Sequence, residues 1–219
     1  MVLKRNILFM AVCLVLSMSL QVLAGPTYSF VNVSNNNPVN AAIGEAQLSV
    51  EILDIGSGQV EFLFRNVGPD PASITDIYFD DSDLGILTLP FGFTDIVSIN
   101  GVSFSPDAPP PNKVSPGDLP SGGDFTVTSG LSADSDGPQN GVNPGEQLGV
   151  TLFGNYASVL GYFDDATLRI GLHVQAMGKD GESESFINNG PVVPAPGALA
   201  LAGIGMTFVG FLRNRKNAV

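Results

Sequence analysis

His173 is the only histidine of the 219-residue chain, so any imidazole chemistry must run through it. It stands in "LRIGLHVQ", on the side of a period-two run opposite Leu172 and Val174. A Ser-His-Asp constellation would need a nucleophile and an orienting acid delivered by the fold, and no G-x-S-x-G nucleophile motif is present. The residue therefore reads as a solvated strand position. Oxygen ligation is the second chemistry in view. Asp80-Asp81-Ser82-Asp83 follows an apolar run, and Asp134-Ser135-Asp136-Gly137 resembles the opening of a calcium loop without its closing glutamate. Hard cations take several oxygen ligands from short turning segments. Asp80, Asp81, Asp83, Asp134 and Asp136 are thus calcium candidates if the two clusters meet in space; otherwise they are ordinary turns, where Asp, Ser and Gly are usual. No carboxylate pair stands out for acid-base work. No catalytic residue is assigned, and a carboxylate-dependent hydrolase ranks behind non-enzymatic readings.

The elements that must position these groups read as all-β. Residues 47–52 and 59–66 alternate apolar and polar around Gly56-Ser57-Gly58, a hairpin with Leu48, Val50, Ile52, Val60, Phe62 and Phe64 on one face. Further runs at 73–79, 85–89, 97–103, 125–129, 148–153 and 168–177 are bounded by turn residues. In the last, Leu168, Ile170, Leu172, Val174 and Ala176 make the inward face. Strands at this spacing favour an antiparallel β-sandwich, jelly-roll or Ig-like, over a closed barrel. Two places break the rhythm. Residues 105–123 carry six prolines and read as a long exposed loop. Residues 156–166 read as one short helix, with Val159, Leu160 and Phe163 at helical spacing.

Both ends of the chain read as targeting segments. Lys4 and Arg5, an apolar run over 7–20 and Val22-Leu23-Ala24 form a signal peptide over 1–24, cleaved between Ala24 and Gly25 by signal peptidase after export through the Sec machinery. A loose Asn- and Ser-rich arm is expected over 25–45, the β-domain over 46–189 and a linker over 190–196. Residues 197–212 hold no charge, about 24 Å as a helix at 1.5 Å per residue, and Arg213, Arg215 and Lys216 then stop transfer. That pattern reads as a transmembrane helix with a basic cytoplasmic tail over 213–219.

Charge narrows the partners. All 21 acidic residues lie between Glu45 and Glu184, opposed there only by Arg65, Lys113, Arg169 and Lys179, a net charge of −17. Such a body repels phosphate backbones, so nucleic acid is excluded as a partner. The only cysteine, Cys13, lies in the signal segment, which removes disulfides, thiolate metal sites and cysteine catalysis from the mature chain. No cofactor is called for beyond the calcium alternative. The chain has no tryptophan and four tyrosines, so sugar recognition would fall to polar loops.

The order Val193-Pro194-Ala195-Pro196, Gly/Ala/Leu-rich span, Arg/Lys end resembles the PEP-CTERM sorting signal of exopolysaccharide-producing Gram-negative bacteria. In that family a Pro-Glu-Pro motif is recognised by an exosortase, a membrane-embedded protease-transpeptidase. The resemblance makes Val193, Pro194, Ala195 and Pro196 the sorting motif, with Ala195 where glutamate is usual. The runs "SITDIYFDD", "LSADSDGPQNGVNPGE" and "LRIGLHVQ" are similar to a recurrent ectodomain of such proteins. Together these imply an exosortase substrate, held in the inner membrane in transit and then delivered to the cell surface or extracellular matrix. Extracellular polysaccharide is the partner this destination suggests. A calcium-stabilised glycan- or protein-binding module is the alternative.

Overall fold

A computed structural model describes residues 25–81, 95–98, 101–106, 125–134 and 137–192. The signal segment, the run at 85–89, the proline-rich loop from 107 to 123, Asp83, Asp136, the sorting motif, the apolar span and the basic tail lie outside them. Among the described residues no helix is long and apolar enough to cross a membrane.

The elements in chain order are β1 (Thr27–Asn32), α1 (Pro38–Gln47), β2 (Leu48–Gly56), β3 (Gln59–Asn66), β4 (Ser73–Asp80), β5 (Asp95–Ser98), β6 (Phe104–Pro106), β7 (Ser129–Ala133), β8 (Gln147–Phe153), α2 (Tyr156–Asp164), β9 (Arg169–Met177) and β10 (Glu182–Val192). All strand pairs are antiparallel, in one ten-stranded sheet of order β5-β8-β3-β2-β1-β10-β9-β4-β7-β6. The antiparallel β class expected from the sequence is found, but in place of two separate packed sheets the strands form one continuous ladder. The junction is β10, whose residues from Glu182 to Ile187 pair with β9 while those from Phe186 to Val192 pair with β1. A strand that changes partners along its length, with register shifts at Tyr28/Phe30 and Glu182/Glu184, lets one sheet turn a corner and pack on itself.

The core fills the space between the halves. Phe62 and Phe64 of β3 meet Phe79 of β4 edge-on, with ring centroids 5.6 and 6.5 Å apart. From α2, Phe163 lies 4.9 Å from Tyr28 and 6.0 Å from Phe62, so the helix plugs one end of the roll. The helix at 156–166 is found in slightly shorter form, capped by Asn155, whose side chain accepts from Ser158 N–H. The hairpin residues Leu48, Val50, Ile52, Val60, Phe62 and Phe64 are all buried.

Several boundaries move. The segment 25–45, expected as a loose arm, forms β1 and most of α1. Tyr28 and Phe30 are buried, and β1 has hydrogen-bonded neighbours on both sides. Helix α1 starts at Pro38, with Asn37 accepting from Val39 N–H at 2.9 Å, a favourable cap and first-turn proline. At Gly44 a Cβ would fall 2.1 Å from the Phe186 ring, so glycine lets α1 lie against β10. The linker expected from 190 begins later, because β10 runs to Val192. Pro191 falls beyond the last β9 pair, Ile187↔Gly171, where the ladder needs less of it. The run at 97–103 is broken by a turn between β5 and β6, and that at 125–129 shifts to β7. In β9, Ala176 has φ +52° and Met177, not Ala176, is buried.

Candidate functional site

His173 is not solvated: it is 4 % exposed, on the outer face of β9. The register of β4 against β9 sets Asp76 opposite His173, with Thr75 as the extra residue of a bulge. Nδ1 lies 2.9 Å from Asp76 Oδ2. Thr75 Oγ1 donates to the same carboxylate at 3.0 Å, and Ser132 Oγ donates to Oδ1. Burial opposes the charge on Asp76, but the hydrogen bonds from His173, Ser132 and Thr75 and the imidazole charge outweigh it and hold the carboxyl below its ordinary range. Asp76 thus orients an imidazole as the acid of a hydrolytic triad would. The ring's other nitrogen, Nε2, is buried with no hydrogen-bond partner among the described residues.

The acidic clusters are placed apart. Asp80, 1 % exposed, pairs with Arg169 Nη2 and accepts from Thr126 N–H at 2.9 Å. The Arg169 guanidinium in turn stands 5.6 Å above the Phe125 ring, so the chain at 125–128 straps the outer face at this pair. Asp81 is also buried, its N–H donating to Thr128 Oγ1 at 3.4 Å. Asp134 accepts from Ser103 and, at 2.6 Å, from Ser105. These hydroxyls lower its pKa and brace the entry to β6. The β4–β7 ladder pairs Asp76 with Ser132 and Phe79 with Ser129, which sets Asp80 and Asp134 at opposite ends. Six residues separate their levels, about 20 Å at 3.3 Å per residue. The described members of the two clusters, Asp80 and Asp81 on one side and Asp134 on the other, thus stand apart, and among the described residues no group of three or more His, Cys, Asp or Glu could hold a metal.

A concavity forms elsewhere, between α1 and the β9–β10 hairpin. Its volume is about 520 Å³, and its walls include Asn37, Ile43, Asp70, Lys179 and Asp180. Behind it, Glu182 accepts from the side chains of Asn37 and Asn40 at 2.7 and 2.8 Å. Amides and carboxylates beside an aliphatic wall suit hydroxyl-rich ligands more than large apolar ones. None of these groups was singled out from the sequence, because the groove needs α1, which reads as an Asn-rich arm, and a hairpin more than 130 residues later.

A fourth feature concerns the ends of the body. Thr27 pairs with both Val192 and Glu51, so a residue two positions after the one expected to follow signal cleavage lies beside the residue before the sorting motif. The buried Glu51 and Glu184 and the partly buried Asp76 organise polar contacts between strands and were not recognised from sequence. The available signal was a carboxylate within an apolar strand run, as in "SITDIYFDD", which requires a partner from another strand. Comparison with protein-family models, with curated proteins and with solved structures finds no match.

Proposed function

We propose that this is an exported surface or extracellular-matrix protein, processed at its C-terminal tail by an exosortase and acting in exopolysaccharide or biofilm without an enzymatic step. The observation that carries the reading is the order of the tail: Val193-Pro194-Ala195-Pro196, an uncharged glycine-rich span, then Arg213, Arg215 and Lys216. The body supports it. A thiol-free domain held by a continuous antiparallel sheet suits an oxidising, protease-rich exterior, and β10 delivers the chain to the motif after Val192 without a spacer. Replacing Pro194 and Pro196 by alanine should leave full-length protein in the inner membrane, read by fractionation and intact mass. Unchanged mature size and location would refute the sorting reading.

The groove favours a second reading, a glycan-binding module. Purified full-length protein should retain soluble exopolysaccharide, and Asp70→Ala with Asp180→Ala should weaken retention several-fold. Release of new reducing ends would instead support the hydrolase. For the calcium variant of this reading, the melting midpoint should rise with millimolar calcium over chelator; no change removes calcium from it.

A further inference from the structure

Gly25 is buried at the start of the described chain. Its N–H donates to Glu51 Oε1 at 3.1 Å, while Glu51 Oε2 lies 2.7 Å from Arg65 Nη2. Glu51 is 7 % exposed. A Cβ at position 25 would fall 1.8 Å from the Ile52 carbonyl oxygen, so the backbone approaches too closely for any residue but glycine. One residue on, the Pro26 carbonyl accepts from Ile52 N–H at 3.1 Å. The chain is thus fastened to β2 at the residue that signal peptidase would make its first.

Cleavage changes the chemistry of that contact. Hydrolysis of the Ala24–Gly25 bond adds one water, leaves a carboxylate on Ala24 and turns the Gly25 amide nitrogen into an ammonium group. The same nitrogen, already facing Glu51 Oε1, then carries a positive charge, and a hydrogen bond charged only on its acceptor becomes an ion pair charged on both sides. Glu51 receives a cation on each oxygen.

We propose that Glu51 is the receiving site for the α-ammonium group of the mature chain, so that removal of the signal peptide completes a Gly25–Glu51–Arg65 ion cluster and locks β1 onto β2. The proposal rests on the cleavage reading above. Its structural consequence follows from register: Thr27 joins Glu51 on one side and Val192 on the other, so the lock made at one processing site steadies the strand that leads to the other. Among the described residues, the groups tied to this contact are Glu51 of β2 and Arg65 of β3; Tyr156 of α2, which is influenced by Asp54 and Glu51, donates to the Ile52 carbonyl at 3.5 Å.

The test uses full-length exported protein purified from membranes, in four forms: the natural chain and one with glutamine inserted between Ala24 and Gly25, each with and without Glu51→Gln. The insertion keeps an amide at Gly25 and moves the charge outward. Intact mass identifies the first residue. The natural chain should melt about 3–6 °C above the extended one near pH 6, and Glu51→Gln should erase most of that difference. The Glu51 carboxylate favours the charged form of the amine, so the advantage should be present while the amine is protonated and be lost as rising pH deprotonates it. Equal midpoints, or a difference that survives Glu51→Gln and high pH and so reports crowding, would overturn the seat while leaving the cleavage reading intact. A first residue other than Gly25 would overturn the cleavage reading and the proposal with it.

Discussion

In the β2–β3 hairpin, Val50, Ile52, Phe62 and Phe64 are buried on one face, and the ladder runs in register from Leu48↔Asn66 to Asp54↔Val60. In the segment from Thr27 to Gln47 the contacts are of another kind. Tyr28 and Phe30 reach the core, but the turn that follows is organised by Glu184 of β10, which is 1 % exposed. Its carboxylate accepts from Asn37 N–H at 2.7 Å, Asn36 N–H at 3.3 Å, Asn32 Nδ2 at 3.1 Å and the Ser34 hydroxyl. One region is held by area, the other by a buried acceptor. The first is non-directional and tolerant of repacking; the second depends on a single residue 147 positions away along the chain from Asn37.

The contrast can be broken at either end. Phe62→Ala removes the ring that touches both Phe79 and Phe163, and should cost about 3–5 kcal/mol in denaturant unfolding. The loss should be global, with every protected amide affected alike. Glu184→Ala leaves two backbone amides and a hydroxyl without their acceptor and should cost about 2–4 kcal/mol. Hydrogen exchange would separate the two: after Glu184→Ala, Asn36 and Asn37 should lose protection well before β2 and β3 do, and uniform loss would deny the segment its separate support. Asn37→Ala removes the α1 cap and one partner of Glu182, for about 1 kcal/mol. Asn155→Ala, at α2, should cost about the same, because a cap acts locally whatever precedes it.

The smallest effect expected is acid-linked. Asp76 has a lowered folded pKa, so its contribution is present above the ordinary carboxylate value of about 3.9 and is lost as pH falls through the folded value. Melting midpoints of the natural protein should decline over that acid range, and Asp76→Asn should flatten the decline while lowering the midpoint at pH 7. An unchanged acid slope would show that the His173–Asp76 contact is not maintained in solution.

The strands legible from sequence were those whose apolar residues alternate without interruption. β3, β4, β8 and β9 were recognised nearly to their ends, and β2 as far as Ile52, since period-two burial is a local signal. β10 was not, because "ESESFINNGPV" has few apolar residues; Glu184 and Ser185 are buried there by partners on other elements. β1 carried a weak alternation at Tyr28 and Phe30 that the surrounding Asn and Ser run masked. Of the candidate site, His173 and the acidic clusters were seen, but their surroundings were not. A polar residue on a strand's outer face reads as solvated, and here the Phe125 strap, Tyr78, Ile187 and Val33 form a second apolar patch on that side.

By itself, the sequence determined the antiparallel β class, the hairpin and its inward face, and a strongly acidic, thiol-free body, because alternation, turn residues and charge are properties of short stretches. Only the tertiary structure decided that the two halves are one sheet, that Asp80 is spent on Arg169, that Asp80 and Asp134 stand at opposite ends of a ladder, and that Gly25 rests on Glu51. Each of these joins residues distant in the chain, and a buried carboxylate acquires its role from whichever donor the fold brings to it.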